Sequence, residues 1–478
     1  MWMWPEAIVT ATALAVLVVD LVGGPALRRW LEPVAIAGLA AAAAVVCACM
    51  PQAGVMFGGR FAVDAAGWWF KLLFILTAML TVILSKDGDC ARTAAGSPRL
   101  ESAAEYYLLL LLTVAGMMFL ISARDLITVY VSLELATIPL FALAAWRRDP
   151  LGGEAGLKYV IVGSIASATL LQGMALLYGL AHSTDLVTIG RVVTPCTGLW
   201  LAMALVTVGV GFKLTLVPFH LWAADVYQGA PTPITAYLSV GSKFAGLALA
   251  LQLFGRMFGG IQSEWVPEVA LFAAVTMTLG NLVAIVQDNV KRFMAFSAIA
   301  QAGYVMMGFI GVATDGVPAI LFYMLIYAAT NLAVFAVIVW HANRTGDERI
   351  AAYRGLSRLN PMMALAMMIG LFGLAGIPPL AGFVGKFFLF SVASKAGLHW
   401  LVVVAAVNST ISLYYYLRIV KEMYIEAPAP EARTLPVTPL MGLTVGVLTA
   451  ASVLLGIVPV VYQTIYAQTS GWLAAFVP

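Results

Sequence analysis

The chain is a succession of long apolar runs separated by short polar or Gly/Pro-rich breaks, and this pattern constrains its architecture more than any other feature. A helix needs about 20 predominantly apolar residues to cross the hydrocarbon of a bilayer. Fourteen candidate runs lie at roughly residues 7–22, 34–50, 68–84, 105–121, 126–145, 155–180, 200–229, 234–257, 266–286, 293–312, 317–340, 361–389, 399–420 and 437–461. Runs such as Tyr107–Val114 show no alternation of polar and apolar residues, which argues against a transmembrane barrel. Composition closes the other routes. Hydrophobic residues make up 62% of the chain and charged residues 10%, where a soluble domain carries about 25% charged. A soluble enzyme, a nucleic-acid-binding protein and a disordered chain are thereby excluded, and the fold class is an all-α polytopic membrane protein. No positive n-region precedes Ala7–Val22, so this run reads as a retained first helix.

Lys and Arg residues outside the runs divide unevenly. Sixteen fall after odd-numbered spans, Arg92 and Arg99 among them. Five fall after even-numbered spans: Arg60, Arg124, Arg191, Arg256 and Lys395. The excess predicts odd connections in the cytoplasm and both termini on the periplasmic side of a bacterial inner membrane. No connection is longer than about 20 residues, and neither a P-loop nor a dinucleotide fingerprint is present. There is no room for a nucleotide-driven domain. The net charge of +3, without a basic run longer than two residues, carries no nucleic-acid signal. Cys47, Cys49, Cys90 and Cys196 match no four-ligand metal spacing.

Five lysines fall inside spans: Lys71, Lys158, Lys213, Lys243 and Lys386, together with Glu134 in the fifth span. A charge at the centre of a membrane helix costs a few kcal/mol even on lenient scales. Lys71, near the start of its span, is expected to snorkel to the interface. Lys158 has Glu154 one turn earlier and is expected to pair with it. Glu134, Lys213, Lys243 and Lys386 lie deeper and are the principal candidates for function. Lysine suits proton handling because its ammonium gives up its proton when desolvated, whereas arginine stays charged. The seventh span is too long for one straight crossing and has Pro218 after Lys213. The twelfth is interrupted by Gly376, Pro378, Pro379 and Gly382, with Lys386 following. Two broken spans five apart in the count suggest an inverted repeat, with a polar spot at each break. His220, beside the first break, is a further candidate for proton relay or an interior hydrogen bond.

Three stretches carry a family resemblance: FKLTLVPFHLWAADVYQGAPTPITAYLSVGSK (212–243), DNVKRFMAFSAIAQAGYVMMG (288–308) and GLAGIPPLAGFVGKFFLF (373–390). The chain resembles the antiporter-like membrane subunits of respiratory NADH:quinone oxidoreductase (complex I), and the DVYxGAPTP form points to the N type. The resemblance implies about fourteen transmembrane helices with two inverted five-helix repeats, each containing one broken helix. The corresponding division is an N-terminal three-helix segment (1–104), a first repeat (105–257), a second, inverted repeat (258–425) and a C-terminal helix (426–478). It makes Glu134 the fifth-span carboxylate and Lys213 its partner. Lys243 becomes the eighth-span relay, Lys386 the lysine near the proton exit and Lys158 a sixth-span lysine of N subunits. Ala224, Gln228 and Gln301 stand where proline, glutamate and histidine are common, and the last departure weakens a relay role for the tenth span.

The resemblance also implies a non-redox subunit of a proton-translocating NADH:quinone oxidoreductase. This chain is then expected to bind no NADH, FMN, iron–sulfur cluster or quinone, all of which belong to partner subunits. Its expected partners are the L- and M-type antiporter-like subunits, small membrane subunits and membrane lipids. Other readings are a stand-alone cation/proton antiporter subunit, the matching subunit of a plastid or cyanobacterial relative, and a passive scaffold of the complex.

Overall fold

A computed structural model describes residues 2–50, 52–87, 102–430 and 432–472. Cys90, Arg92 and Arg99 lie outside them. Each of the fourteen apolar runs is largely helical; among the described residues short helices such as Leu186–Val192 and Val460–Thr469 lie outside them, and a small hairpin, Gly54–Met56 paired with Phe61–Val63, lies between the second and third spans. Among the described residues, twelve helices are long and apolar enough to cross a membrane. The count is below fourteen for two local reasons. The tenth run, Val290–Phe309, opens on Lys291 and Arg292. The twelfth is split into two pieces of 15 residues, Pro361–Ala375 and Ala381–Lys395. The seventh qualifies through its first half alone, Thr197–Leu214.

Spans eight and eleven form the centre. Thr232–Met257 is buried throughout its apolar window and Gly316–Thr345 over 94% of it, whereas the first, second and last spans are 28% buried. Lipid gives apolar helices no hydrophobic reason to associate, so close packing falls to small residues. Gly116 on the fourth span faces the backbone of Ala136 on the fifth, and Gly280 on the ninth faces that of Ala300 on the tenth. A Cβ on either glycine would run into a main chain.

Two short clasps hold the spans in order. Asp125 pairs with Asp185 in an isolated β-bridge, and Asn289 pairs with Arg349 in another. Leu126 N donates to Thr184 O at 2.8 Å and Leu186 N to Arg124 O at 3.0 Å. Val290 N donates to Glu348 O and Ile350 N to Asp288 O, both at 2.8 Å. Asp125 and Asn289 also cap the helices that follow them, accepting from two backbone N–H groups each. The first clasp joins the connections before spans five and seven, and the second those before spans ten and twelve.

Candidate proton-relay site

The seventh span breaks at Leu214. Thr215 caps its first half in the left-handed region (φ 59°), and helix resumes at Ala223–Gly229. A β-branched residue at positive φ is an outlier, costing on the order of 1–3 kcal/mol. The twelfth span breaks the same way at Ala375, capped by Gly376 (φ 87°), where the missing Cβ removes that cost. Each break leaves carbonyls without intrahelical partners at the negative end of a helix dipole.

The three deep lysines gather at these ends. Lys213 occupies the last turn of the first half of span seven, is 2% exposed, and donates from Nζ to Thr137 Oγ1 at 2.6 Å. Lys243 follows a π-helical stretch, Leu238–Ser242, in the buried eighth span. Its Nζ donates to Thr215 Oγ1 and, at 3.3 Å, to Leu214 O. Lys386 donates to Ala375 O at 3.0 Å and to Ser409 Oγ at 3.1 Å, with its ammonium 4.3 Å from the Tyr304 ring centroid.

Glu134 is close to this group but not bonded to it. Its carboxylate accepts from Ser167 Oγ on the sixth span, and Ser167 lies 3.0 Å from Tyr130 Oη. Glu134 and Lys213 form no ion pair in this structure; the ammonium binds Thr137 instead, three residues further along the fifth span. Lys158 is the outlier. Its side chain is 41% exposed, and it bonds Glu154, as expected from their spacing, at 2.6 Å and Asp225 at 2.5 Å. The other oxygen of Asp225 takes Arg292 at 2.5 Å, and Gln228 accepts from the same guanidinium at 3.2 Å. His220 is buried within the first break, with no hydrogen-bond partner at Nδ1 among the described residues.

Gln301 joins the two halves of the site. Its Nε2 donates to Leu374 O, the carbonyl beside the one that Lys386 binds, at 2.9 Å, and its Oε1 accepts from Tyr323. A cavity of about 20 Å³ lies between Lys243, Gln301, Tyr323 and Tyr327. This is room for about one water.

Lys71 departs from its expected place at the interface. It is fully buried and ion-paired with Glu6 at 2.6 Å, both side chains 0% exposed, with the Trp68 and Phe61 rings at 4.8 and 5.1 Å. The structure also brings together Asp64, Arg124 and Arg256, with Asp64 Oδ2 bridging both guanidinium groups. Sequence spacing gives no sign of either cluster, because each joins elements distant along the chain. A carboxylate in the first turn of an apolar run, as Glu6 is, was the only available hint.

Residues 123–412 match the family described as NADH:quinone oxidoreductase/Mrp antiporter, TM. The chain belongs to this family. NADH-quinone oxidoreductase subunit N of Anaeromyxobacter sp. (strain Fw109-5) is 40% identical, with 90% of this chain and 88% of the relative aligned. NAD(P)H-quinone oxidoreductase subunit 2 of Synechococcus sp. (strain JA-3-3Ab) is 43% identical over 89% of this chain and 80% of its own length. Among solved structures, a chain of respiratory complex I from Thermus thermophilus with bound aureothin superposes with a TM-score of 0.82. It is 32% identical, and the match covers 96% of this chain and 99% of that one. A chain of the Mrp complex from Dietzia sp. DQ12-45-1b shares the fold (TM-score 0.85, covering 100% and 99%) at 21% identity. The protein is thus a multi-pass membrane protein and an antiporter-like subunit of the N type.

Proposed function

We propose that this chain is the N-type proton-translocating subunit of an NADH:quinone oxidoreductase, coupling electron transfer in partner subunits to proton export. The observation that carries the reading is the placement of three buried lysines on the carbonyl ends of two broken helices. A lysine there is held by dipoles and hydroxyls rather than by a fixed counter-charge. Its proton can therefore leave without leaving behind a lone buried carboxylate.

In this reading Glu134 biases Lys213 through space, and the proton passes from Lys213 to Lys243, through the cavity at Gln301, and on to Lys386. Residues 105–257 and 258–425 are the two repeats. The matched clasps support this, since connections five spans apart fall on opposite membrane faces when every span crosses. So do the matched pairs Gly116/Ala136 and Gly280/Ala300, and the similar caps Thr215 and Gly376. Fourteen crossings, an inner-membrane location and periplasmic termini complete the arrangement, with L- and M-type subunits as neighbours and the redox cofactors in other subunits. Lys158 serves as a cytoplasmic anchor for Asp225, and His220 lines the first break.

The test is NADH-driven acidification of inverted membrane vesicles, normalised to quinone reduction in the same sample. Lys213→Ala is expected to lower the protons moved per electron pair while the complex still assembles. An unchanged ratio would remove Lys213 from the path and favour a scaffold role.

A further inference from the structure

Away from the lysines, an apolar groove of about 680 Å³ runs between the first half of span twelve (Pro361–Ala375) and span fourteen (Pro439–Ile457). Its walls include Met362, Leu365, Val445 and Gly446. At its head, Leu359 and Asn360 also line a second chamber of about 440 Å³, which holds Arg349, Arg354 and Arg433. Arg349 is paired with Asp347 and Arg354 with Glu422, each at 2.7 Å. Arg433, and Arg358 on the turn just before Leu359, have no ion-pair partner among the described residues and are exposed. Asn360 stands at the N-cap of span twelve but uses its side chain on Leu435, donating to O at 2.9 Å and accepting from N at 3.0 Å. The first turn of that helix therefore has no side-chain cap.

An apolar trough in the hydrocarbon that opens at one end into excess positive charge fits an amphiphile with an anionic head. A transmembrane helix, apolar along its span, would leave the unpaired arginines at that end without an anion. We propose that the groove is a binding site for one anionic phospholipid, with an acyl chain along Val445 and Gly446 and the phosphate between Arg358 and Arg433. Basic pockets between membrane helices recognise lipid phosphates in this way. The site is independent of the proton relay.

The test is native mass spectrometry of the delipidated complex titrated with phosphatidylglycerol or phosphatidylcholine. The wild type is expected to retain one phosphatidylglycerol at this subunit, in preference to phosphatidylcholine by roughly tenfold or more. The pair of changes Arg358→Gln and Arg433→Gln is expected to abolish that preference. Gly446→Leu is expected to expel both lipids, and it should fold, since a Cβ at Gly446 meets no atom within 4 Å. Equal retention of the two lipids by the wild type, or retention of phosphatidylglycerol unchanged in both variants, would overturn the proposal. So would a protein helix seated in the groove of the assembled complex.

Discussion

In the seventh span the carbonyl before the left-handed cap, that of Leu214, receives the ammonium of Lys243 from the following span. In the twelfth span the carbonyl before the cap, that of Ala375, receives Lys386 from the second half of the same span. The following span contributes only a neutral hydroxyl there, Ser409, at 2.9 Å. The first break has Lys213 in its last turn, but that ammonium is turned to Thr137, so the cation on its freed carbonyl comes only through contact between helices. The second carries its own charge and uses its neighbour as a second donor. A shift of span eight against span seven would strip Leu214 O of its cation, while a similar shift of span thirteen would leave Lys386 on Ala375 O. The first break is the one built to respond to movement between helices.

The largest effect should follow from Lys243→Ala, which leaves Leu214 O and Thr215 without their charged donor. Loss of a buried charge-assisted bond costs about 1.5–3 kcal/mol, so thermal unfolding of the detergent-solubilised complex should shift clearly downward. Lys386→Ala should shift it about as much, because Leu214 O keeps Thr215 Oγ1 at 2.6 Å as Ala375 O keeps Ser409 Oγ at 2.9 Å; a much smaller shift for either variant would break the comparison. Next comes Gly376→Ala. A Cβ there would sit 3.1 Å from Lys386 Cδ, on backbone at φ 87°, and left-handed strain costs on the order of 1–3 kcal/mol. The added methyl should lower stability and, by displacing Lys386, the pumping ratio together. Ser409→Ala should cost about 1 kcal/mol and leave the pumping ratio nearly intact. A large drop in that ratio would make the hydroxyl part of the path.

The smallest effect concerns the far end of the second break. Lys395, the last residue of span twelve, bonds Asp315 at 2.6 Å. The hydrogen bond from this ammonium holds the Asp315 carboxyl below its ordinary range, against the opposing pull of burial. A depressed folded-state pKa contributes stability above the unfolded value, which is lost as pH falls through the folded one, below about pH 4. The pair is exposed, so Asp315→Asn should cost about 0–1 kcal/mol. Melting curves at pH 7 and pH 3.5 should differ less for the variant than for the wild type, and less again in high salt.

The positions of the spans and both breaks were legible in the sequence, because run length and Pro or Gly interruption are local signals. Lys213 and Lys243 were legible for the same reason, as charges far from any end of an apolar run, and Lys386 as a charge just after the second interruption. Pairing was not. Whether Lys213 meets Glu134 or Thr137 turns on the rotation of span five against span seven, which no single helix encodes. The burial of Lys71 depends on Glu6 arriving from another span. Gln301 looked like a loss, an amide where a titratable ring is common; its value lies in linking Leu374 to Tyr323, which depends on three helices meeting.

One feature of these caps bears on how a charge could travel without the helices coming apart. An amine that has released its proton still has two N–H groups, so Lys243 and Lys386 can keep donating to their carbonyls when neutral. What vanishes is the attraction to the dipole, and what appears is a lone pair able to accept the next proton from water. The framework can stay still while the charge on it moves.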